Sequence, residues 1–196
     1  ENTLKTVQNL YEKKLVSYPR VDTTYLSEDL HAKVPGILGN LKSYNSLTES
    51  ILAAPIKKSK SIFNNKKITD HHAIIPTGIP AQGLQGSDLA IYDLICKRFI
   101  AVFYPPCKVS NTTVIGRVEK LEFKTSGKQI IDPGWRKVYS GNDKGKKQDD
   151  DNVLPLFEKG EEGPHEPFFH EGKTSPPKQY TEATLLRSME TAGKFV

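Results

Sequence analysis

Two adjacent prolines, Pro105 and Pro106, divide the chain into a helical part and a part rich in strand-forming residues. Proline lacks a backbone N–H and its ring disfavours the helical conformation of the residue before it, so a helix ends at or before such a pair. Apolar residues recur at helical spacing after Ser87, which predicts a long helix that ends at these prolines. The residues predicted to lie along one face of this helix are Ile91, Ile95, Arg98 and Val102, and Leu94 and Phe99 widen that face.

Shorter helices are predicted where a capping residue precedes apolar residues at helical spacing. The first predicted helix follows a cap at Asn2 or Thr3 and contains Leu4, Val7, Tyr11 and Leu15. Two short helices are predicted from Ser27 through Val34, ended by Pro35-Gly36, and from Thr48 through Ala54, ended by Pro55. Thr181 is predicted to cap a last helix with Leu185, Met189 and Ala192 on one side.

The chain after the prolines is rich in Val, Ile and Thr, which favour β structure. Strands are predicted at 108–118, 120–124, 128–131, 135–139 and 153–157, and turns at Thr125–Lys128 and Asp132–Trp135. Three consecutive acids, Asp149, Asp150 and Asp151, lie in a polar stretch. Consecutive side chains point in different directions, so these acids predict a solvated loop rather than a metal site.

The composition sets broad limits on function. The 28 Lys and Arg residues exceed the 23 Asp and Glu residues, giving a net charge of +5, which suits a nucleic-acid partner but is also common in other proteins. Cys96 and Cys107 have no CxxC spacing and predict free thiols in a reducing compartment.

No apolar run reaches the roughly 18 to 20 residues of a membrane span and no signal peptide opens the chain, so we expect a soluble cytoplasmic protein without a membrane partner. Neither end has the pattern of a natural terminus, and we expect an excised piece.

The segment Leu15-Val16-Ser17-Tyr18-Pro19-Arg20-Val21-Asp22-Thr23 combines a phenol, a guanidinium and a carboxylate. Alternate side chains of an extended chain share a face, so Tyr18, Arg20 and Asp22 should point to the same side. A guanidinium can hold a phosphate with two hydrogen bonds, and a phenol with a pKa of about 10 leaves phosphorus more readily than an alkoxide. The residues alone leave open that Tyr18 is a packing residue near a turn.

The same segment resembles the tyrosine motif of type IA DNA topoisomerases, (L/I)-(I/V)-(S/T)-Y-P-R-x-D-(S/T), and Val21 occupies a position where that family more often has Thr or Ser. Three further segments resemble motifs of this family in the family's order, and the likeness is closest to bacterial topoisomerase III. They are Asp70–Thr77, similar to (E/D)-H-x-A-I-x-P-T; Ile91–Phe99, similar to the helix before the family's β arch; and Pro176–Leu186, similar to the segment that leads into the DNA-binding helical domain.

The resemblance implies a role for each matching residue. Tyr18 would attack a phosphodiester of single-stranded DNA and form a 5′-phosphotyrosine, and the reaction would need no ATP because this bond can be reversed after strand passage. Arg20 would stabilise the charge that develops on the phosphate, and His71 would contact the phosphate. The implied DNA-binding residues are Asp22, Lys178 and Thr181, the last of these at a helix start. The alternative role for Asp22 is to fix Arg20 or the loop.

The resemblance also implies an α+β fold. Residues 1–104 would form a helical, winged-helix-like domain, 105–175 part of a β-strand arch, and 176–196 a linker with the first helix of a truncated DNA-binding domain. The family binds Mg²⁺ through an acidic N-terminal domain that has no counterpart here. We therefore expect the Mg²⁺ ligands to lie outside this chain, no metal to be bound here, and this piece alone to be inactive. Its expected place is the bacterial nucleoid.

Three other functions differ in the sequence features that they require. A non-catalytic nucleic-acid-binding module predicts a packed Tyr18 and an Arg20 paired with an acid. A tyrosine recombinase requires an HxxR pair, whereas the residue three positions after His72 is Ile75. No feature of the sequence favours a structural adaptor.

Overall fold

The computed structural model describes residues 2–140, 153–164 and 166–192. The chain forms two compact units, Glu1–Phe157 and Glu158–Val196. Within the described residues, the first unit contains four α-helices and two strands, and the second contains one helix. They are α1 (Asn2–Glu12), α2 (Val34–Asn40), α3 (Asn45–Leu52), α4 (Gly86–Ala101), β1 (Lys108–Val118), β2 (Leu121–Asp132) and α5 (Glu182–Thr191). Single 3₁₀ turns occur at Glu28–Ala32, Lys42–Tyr44, Asn65–Lys67 and Gly134–Val138. This mixture of helices and a small sheet agrees with the predicted α+β class.

The core of the first unit lies around α4, against which α1 packs. A side-chain contact joins the two helices at their ends, where Asp88 accepts a 2.6 Å hydrogen bond from Asn9 and pairs with Lys13 at 3.0 Å. The buried residues come from the helices and from the loops between α1 and α4. They include Val7, Leu10, Val16, Leu26, Val34, Leu38, Phe63, Ile75, Tyr92, Cys96, Phe99 and Ile100.

The predicted long helix is confirmed as α4, but its predicted apolar face was wrong by about one residue. Leu94 is 56% exposed and Arg98 is also exposed, whereas the buried residues of α4 are Tyr92, Cys96, Phe99, Ile100 and Ala101. Apolar residues lie on both sides of the true face, so periodicity alone could not locate its centre. Tyr44, whose hydroxyl donates to Asp93 at 3.0 Å, is one of the residues that cover the buried side.

Two predicted helix boundaries were wrong, because Pro35 does not end a helix and Thr48 does not cap one. Pro35 lies in the first turn of α2 instead of ending a helix, which is tolerated because the N–H groups of a first turn have no helical partner. Thr48 lies inside α3, and its hydroxyl donates to the carbonyl of Asn45 at 3.4 Å. Ser27 precedes a 3₁₀ turn without a side-chain capping bond.

The first predicted helix also ends earlier than its apolar spacing suggests. Asn2 is already helical, and α1 ends at Glu12 because Lys14 adopts a φ of 60°. Leu15 lies beyond the helix, although it is buried as predicted for an apolar position.

Strands β1 and β2 form one antiparallel hairpin in which Val118 pairs with Leu121. The turn therefore lies at Glu119 and Lys120, and Glu119 has a φ of 53°. The predicted turn at Thr125–Lys128 was wrong, since these residues pair with Asn111–Val114 inside the hairpin. Pairing along the whole length of β1 overrides the local preference of Ser and Gly for turns.

The segment after the hairpin is helical rather than extended. Gly134–Val138 is a 3₁₀ turn, so the strand predicted at 135–139 was wrong, as was the one at 153–157, where no strand forms. The predicted turn at Asp132–Trp135 is confirmed, because the Gly134 N–H donates to the Asp132 side chain at 3.0 Å. Asp149, Asp150 and Asp151 lie outside the described residues.

The helices of the described ranges are all too short or too polar to cross a membrane.

Candidate active site

The tyrosine and histidine motifs lie side by side in the first unit. Val16 and Pro76 form an antiparallel bridge. The Ser17 N–H donates to the Ile75 carbonyl at 2.9 Å, and the Thr77 N–H donates to the Leu15 carbonyl at 3.0 Å. Segments that are far apart in the sequence are therefore joined by backbone hydrogen bonds.

Two hydroxyl groups strengthen this junction. Ser17 Oγ donates to the Ala73 carbonyl at 3.3 Å and accepts from the Ile75 N–H at 2.9 Å. Thr77 Oγ1 donates to the Lys14 carbonyl at 2.7 Å. Neither residue was predicted to have a role, although the tyrosine motif includes a hydroxyl residue directly before the tyrosine.

Tyr18 lies between two aromatic rings. The centroid of the His71 ring is 4.5 Å from that of Tyr18, with 42° between the ring planes, and the Tyr11 ring contacts Tyr18 edge-on at 5.5 Å. Tyr18 is half-buried and His71 is exposed. The two rings restrict the orientation of the phenol without sealing it from solvent.

The Tyr18 hydroxyl has no hydrogen-bond partner within the part of the chain that the structure describes. A tyrosine placed only for packing usually satisfies its hydroxyl when it is buried. The half-buried ring with an unengaged hydroxyl is therefore suited to accept a ligand.

Arg20 is exposed, and none of the described acidic side chains forms an ion pair with it. Asp22 instead accepts two hydrogen bonds from the hydroxyl of Thr69, at 3.2 and 3.3 Å. Asp22 thus connects the tyrosine segment to the start of the histidine segment and does not position Arg20. A DNA contact by Asp22 stays a prediction.

His71 and His72 differ in their surroundings. His72 Nδ1 lies 2.7 Å from the Ala73 carbonyl, so this nitrogen carries a proton and donates. His72 is half-buried, as a structural histidine should be, whereas the exposed His71 ring has only its contact with Tyr18 among the described residues. His71 is therefore the histidine that is available to a ligand.

Hydrogen bonds also hold the chain that follows Asp22. Thr23 Oγ1 donates to the Lys67 carbonyl at 2.6 Å, and the Ala73 N–H donates to the Tyr25 carbonyl at 2.9 Å. A cavity of about 400 Å³ lies between this segment and α4. Its lining includes Val21, Thr23, Ile74, Arg98 and Phe99.

The described residues offer no group of three or more His, Cys, Asp or Glu side chains able to hold a metal ion. The described side chains near Tyr18 therefore do not fit a magnesium site.

The two predicted DNA-binding residues near the end of the chain belong to the second unit. Thr181 caps α5 as predicted: its Oγ1 accepts from the Thr184 N–H at 3.3 Å, and the Thr184 hydroxyl accepts from the Thr181 N–H at 2.8 Å. Lys178 is exposed in an extended segment. DNA binding by either residue stays a prediction.

Comparisons with known proteins show which family the chain resembles. The family described as DNA topoisomerase matches residues 1–193. The protein named DNA topoisomerase 3 of Bacillus licheniformis is 36% identical over 203 aligned residues, which cover all of this chain and 28% of the relative. The proteins of the same name from Bacillus subtilis and Bacillus anthracis are 36% and 35% identical, again over all of this chain and 28% of each relative. The chain thus spans about 28% of the length of these curated relatives.

Proposed function

We propose that this chain, which belongs to the DNA topoisomerase family, carries at Tyr18 the nucleophile that cleaves and rejoins a strand of DNA. The family resemblance that the four motifs predicted is confirmed by the match over residues 1–193. The observation that supports the proposal most is the half-buried Tyr18 ring held against His71 at 4.5 Å, with its hydroxyl unengaged.

In the proposed reaction, Tyr18 Oη forms a bond to the phosphorus of a phosphodiester in single-stranded DNA. The bond from phosphorus to the 3′-oxygen breaks, and the proton lost by the phenol is balanced by the proton that this 3′-oxygen gains. The product is a 5′-phosphotyrosine and a free 3′-hydroxyl. One phosphoester replaces another, so no ATP is consumed, and attack by the 3′-hydroxyl restores the strand after another strand has passed.

Arg20 and His71 would act on the phosphate. The exposed Arg20 guanidinium has no described acid to neutralise it, so both of its outer nitrogens can donate to non-bridging oxygens as charge develops. His71 can donate to a phosphate oxygen when it is protonated. Arg20 lies in the same sequence motif as Tyr18, which supports its role. The contact between the His71 ring and the Tyr18 ring supports the role of His71.

The finer architecture follows from the same proposal. Residues 1–104 would be the winged-helix-like domain that presents Tyr18, and the hairpin within 105–175 would belong to the arch that opens the DNA gate. The segment 176–196, with Lys178 and Thr181, would lead into a DNA-binding domain. Since the chain spans only 28% of its relatives, an acidic region outside these residues would bind Mg²⁺ in the whole enzyme, which would act at the bacterial nucleoid.

The test is covalent trapping. The full-length protein that carries this chain is incubated with end-labelled single-stranded DNA and Mg²⁺, denatured, and analysed for a protein–DNA adduct. Tyr18→Phe should abolish the adduct, whereas the matched Tyr11→Phe, which changes the neighbouring ring, should retain it. An adduct that survives Tyr18→Phe contradicts the proposal.

A second assay tests the inactivity of the isolated chain. We expect no relaxation of negatively supercoiled plasmid by the 196-residue chain with Mg²⁺. Relaxation that Tyr18→Phe abolishes would contradict this expectation and support the nucleophile. DNA binding without any Tyr18-dependent chemistry in the full-length protein would instead favour the non-catalytic binding module.

A further inference from the structure

One loop beside the tyrosine segment carries several lysines and no acidic residue. Between Glu49 and Asp70 the sequence has five lysines and no acidic residue, so this stretch alone carries +5, equal to the net charge of the whole chain. We call residues 57–67 the lysine loop. Its lysines are Lys57, Lys58, Lys60, Lys66 and Lys67.

The lysine loop has a defined backbone conformation. The Ser59 N–H donates to the Lys57 carbonyl at 3.0 Å, and the Phe63 N–H donates to the Ser59 carbonyl at 2.8 Å. Asn64 caps the following 3₁₀ turn by accepting from the Lys66 N–H at 3.1 Å. The side chain of Phe63, only 2% exposed, anchors the loop in the core. The ammonium groups are thus presented from a fixed scaffold.

Four of the five ammonium groups remain available for a ligand. Lys58 pairs with Glu28 at 3.0 Å. Lys57, Lys60, Lys66 and Lys67 are exposed, and no acid in the described ranges forms an ion pair with any of them. An uncompensated cluster of exposed lysines favours a polyanion, because each phosphate contact releases a condensed counterion.

The loop is attached directly to the segment that contains Tyr18. Leu26 and Phe63 form a parallel bridge, and Thr23 Oγ1 donates to the Lys67 carbonyl at 2.6 Å. Thr23 is the fifth residue after Tyr18, and five residues of fully extended chain span at most roughly 17 Å. A strand whose phosphate lies at Tyr18 therefore needs few further nucleotides to reach the loop.

We propose that Lys57, Lys60, Lys66 and Lys67 bind the phosphates of the same DNA strand that Tyr18 would cleave, a few nucleotides from the cleavage point. This inference rests on the proposed function, because it takes the ligand of the Tyr18 site to be single-stranded DNA. The loop supplies affinity without reading the bases, since lysine contacts phosphate as a point charge.

The test measures the salt dependence of binding. The affinity of the protein for an oligothymidylate of about 16 nucleotides is determined at several salt concentrations. Each phosphate contact on a single strand contributes about 0.7 to the slope of log affinity against log salt concentration, so substituting all four lysines by glutamine should reduce the slope by roughly 2 to 3. Circular dichroism confirms that the variant is folded.

Two controls separate the loop from general charge. Lys58→Gln, whose ammonium is already paired with Glu28, should leave the slope nearly unchanged. Substitution of four exposed lysines elsewhere in the first unit, Lys108, Lys120, Lys124 and Lys137, should change it much less than the loop variant does. Equal effects of the two fourfold variants, or no effect of the loop variant, would overturn the inference.

The covalent trapping assay distinguishes the two proposals. If the loop variant keeps the wild-type salt slope while Tyr18→Phe abolishes the adduct, the inference about the loop fails and the proposed function stands. If the wild-type protein binds no oligonucleotide even at low salt, both fail.

Discussion

Ser17 shows how one hydroxyl positions the residues of the candidate site. It bridges two backbone groups of the histidine segment, the Ala73 carbonyl and the Ile75 N–H. It directly precedes Tyr18, so its loss should disturb the contact between Tyr18 and His71. Because both bonds cross between distant segments, they act on tertiary structure rather than on a local turn.

Ser17→Ala should lower the free energy of unfolding by about 1 to 3 kcal/mol, because the half-buried Ile75 N–H loses its side-chain acceptor. The loss is measured by urea denaturation. The ring-current shift of the His71 protons in NMR spectra should also decrease as the rings separate. Ser17→Thr keeps the hydroxyl and should retain both properties, so equal behaviour of the Ala and Thr variants would contradict this role.

Cys96 makes stability sensitive to alkaline pH. Burial is the main cause that raises the pKa of its thiol from 9.0 to about 11. Burial also raises the pKa values of Tyr44 and Tyr92. Above pH 9 the unfolded chain loses the thiol proton while the folded chain keeps it, so the free energy of unfolding falls between pH 9 and 11.

We expect the thiol to contribute about 2 kcal/mol to this fall, since one unit of pKa corresponds to about 1.4 kcal/mol. Cys96→Ala should be less stable than the wild type at pH 7, because it leaves a cavity in the core, but should lose less stability between pH 8 and pH 10.5. Urea denaturation at both pH values measures the difference. The same loss in both proteins would show that the thiol does not contribute.

At the scale of elements, the close approach of Gly134 to the end of α4 joins the hairpin to the helical core. Gly134 has a φ of 50°, and a Cβ atom there would lie 2.5 Å from the Pro105 carbonyl oxygen. The Trp135 N–H donates to the same oxygen at 3.0 Å. The proline pair that follows α4 is therefore the part of the chain against which the 3₁₀ turn after β2 packs.

Gly134→Ala should destabilise the protein by about 2 to 4 kcal/mol, because the backbone contacts must open and the positive φ disfavours alanine. Gly116→Ala is the matched control within the hairpin, since Gly116 has open space around its Cβ position and should change stability by less than about 0.5 kcal/mol. Thermal denaturation compares the two variants. A similar effect of both would contradict the close packing at Gly134.

The elements that the sequence predicted well are those with a strong local signal. The proline pair predicted the end of α4 only approximately, because α4 ends at Ala101, four residues before Pro105. The bounds of β1 at 108–118 are confirmed, and Thr181 caps α5. The failures at Thr125–Lys128 and at 135–139 have a tertiary cause. Pairing with β1 keeps Thr125–Lys128 in a strand. Packing against α4 favours a 3₁₀ turn at Gly134–Val138.

The candidate site was predictable in its residues but not in its connections. The motifs identified Tyr18 and His71, and the structure brings their rings into contact. The bonds from Ser17 to Ile75 and from Thr69 to Asp22 were not predicted, because they depend on the register between segments about fifty residues apart. Short motifs carry no information about that register.

At the scale of the first unit, order should decrease from the helical core toward the tip of the hairpin. Leu10, Cys96 and Ile100 are fully buried around α4. Strands β1 and β2 have no third strand beside them among the described residues, and apolar side chains of both are exposed, with Ile115 at 61% and Leu121 at 65%. A two-stranded hairpin without a packed face is only marginally stable in water.

This gradient predicts the pattern of amide hydrogen exchange. Amides in the middle of α4 should exchange only through global unfolding, whereas those near Glu119 and Lys120 should exchange through local opening of the hairpin. We expect the two groups to differ in protection by at least about a thousandfold, equivalent to about 4 kcal/mol of opening free energy. The base of the hairpin, held by the Trp135 bond to Pro105 and by the buried Val138, should be intermediate. Exchange measured by mass spectrometry on the 196-residue chain gives this order directly. Protection at the hairpin tip equal to that of α4 would contradict the prediction, because it would require a further element to cover the exposed faces of β1 and β2.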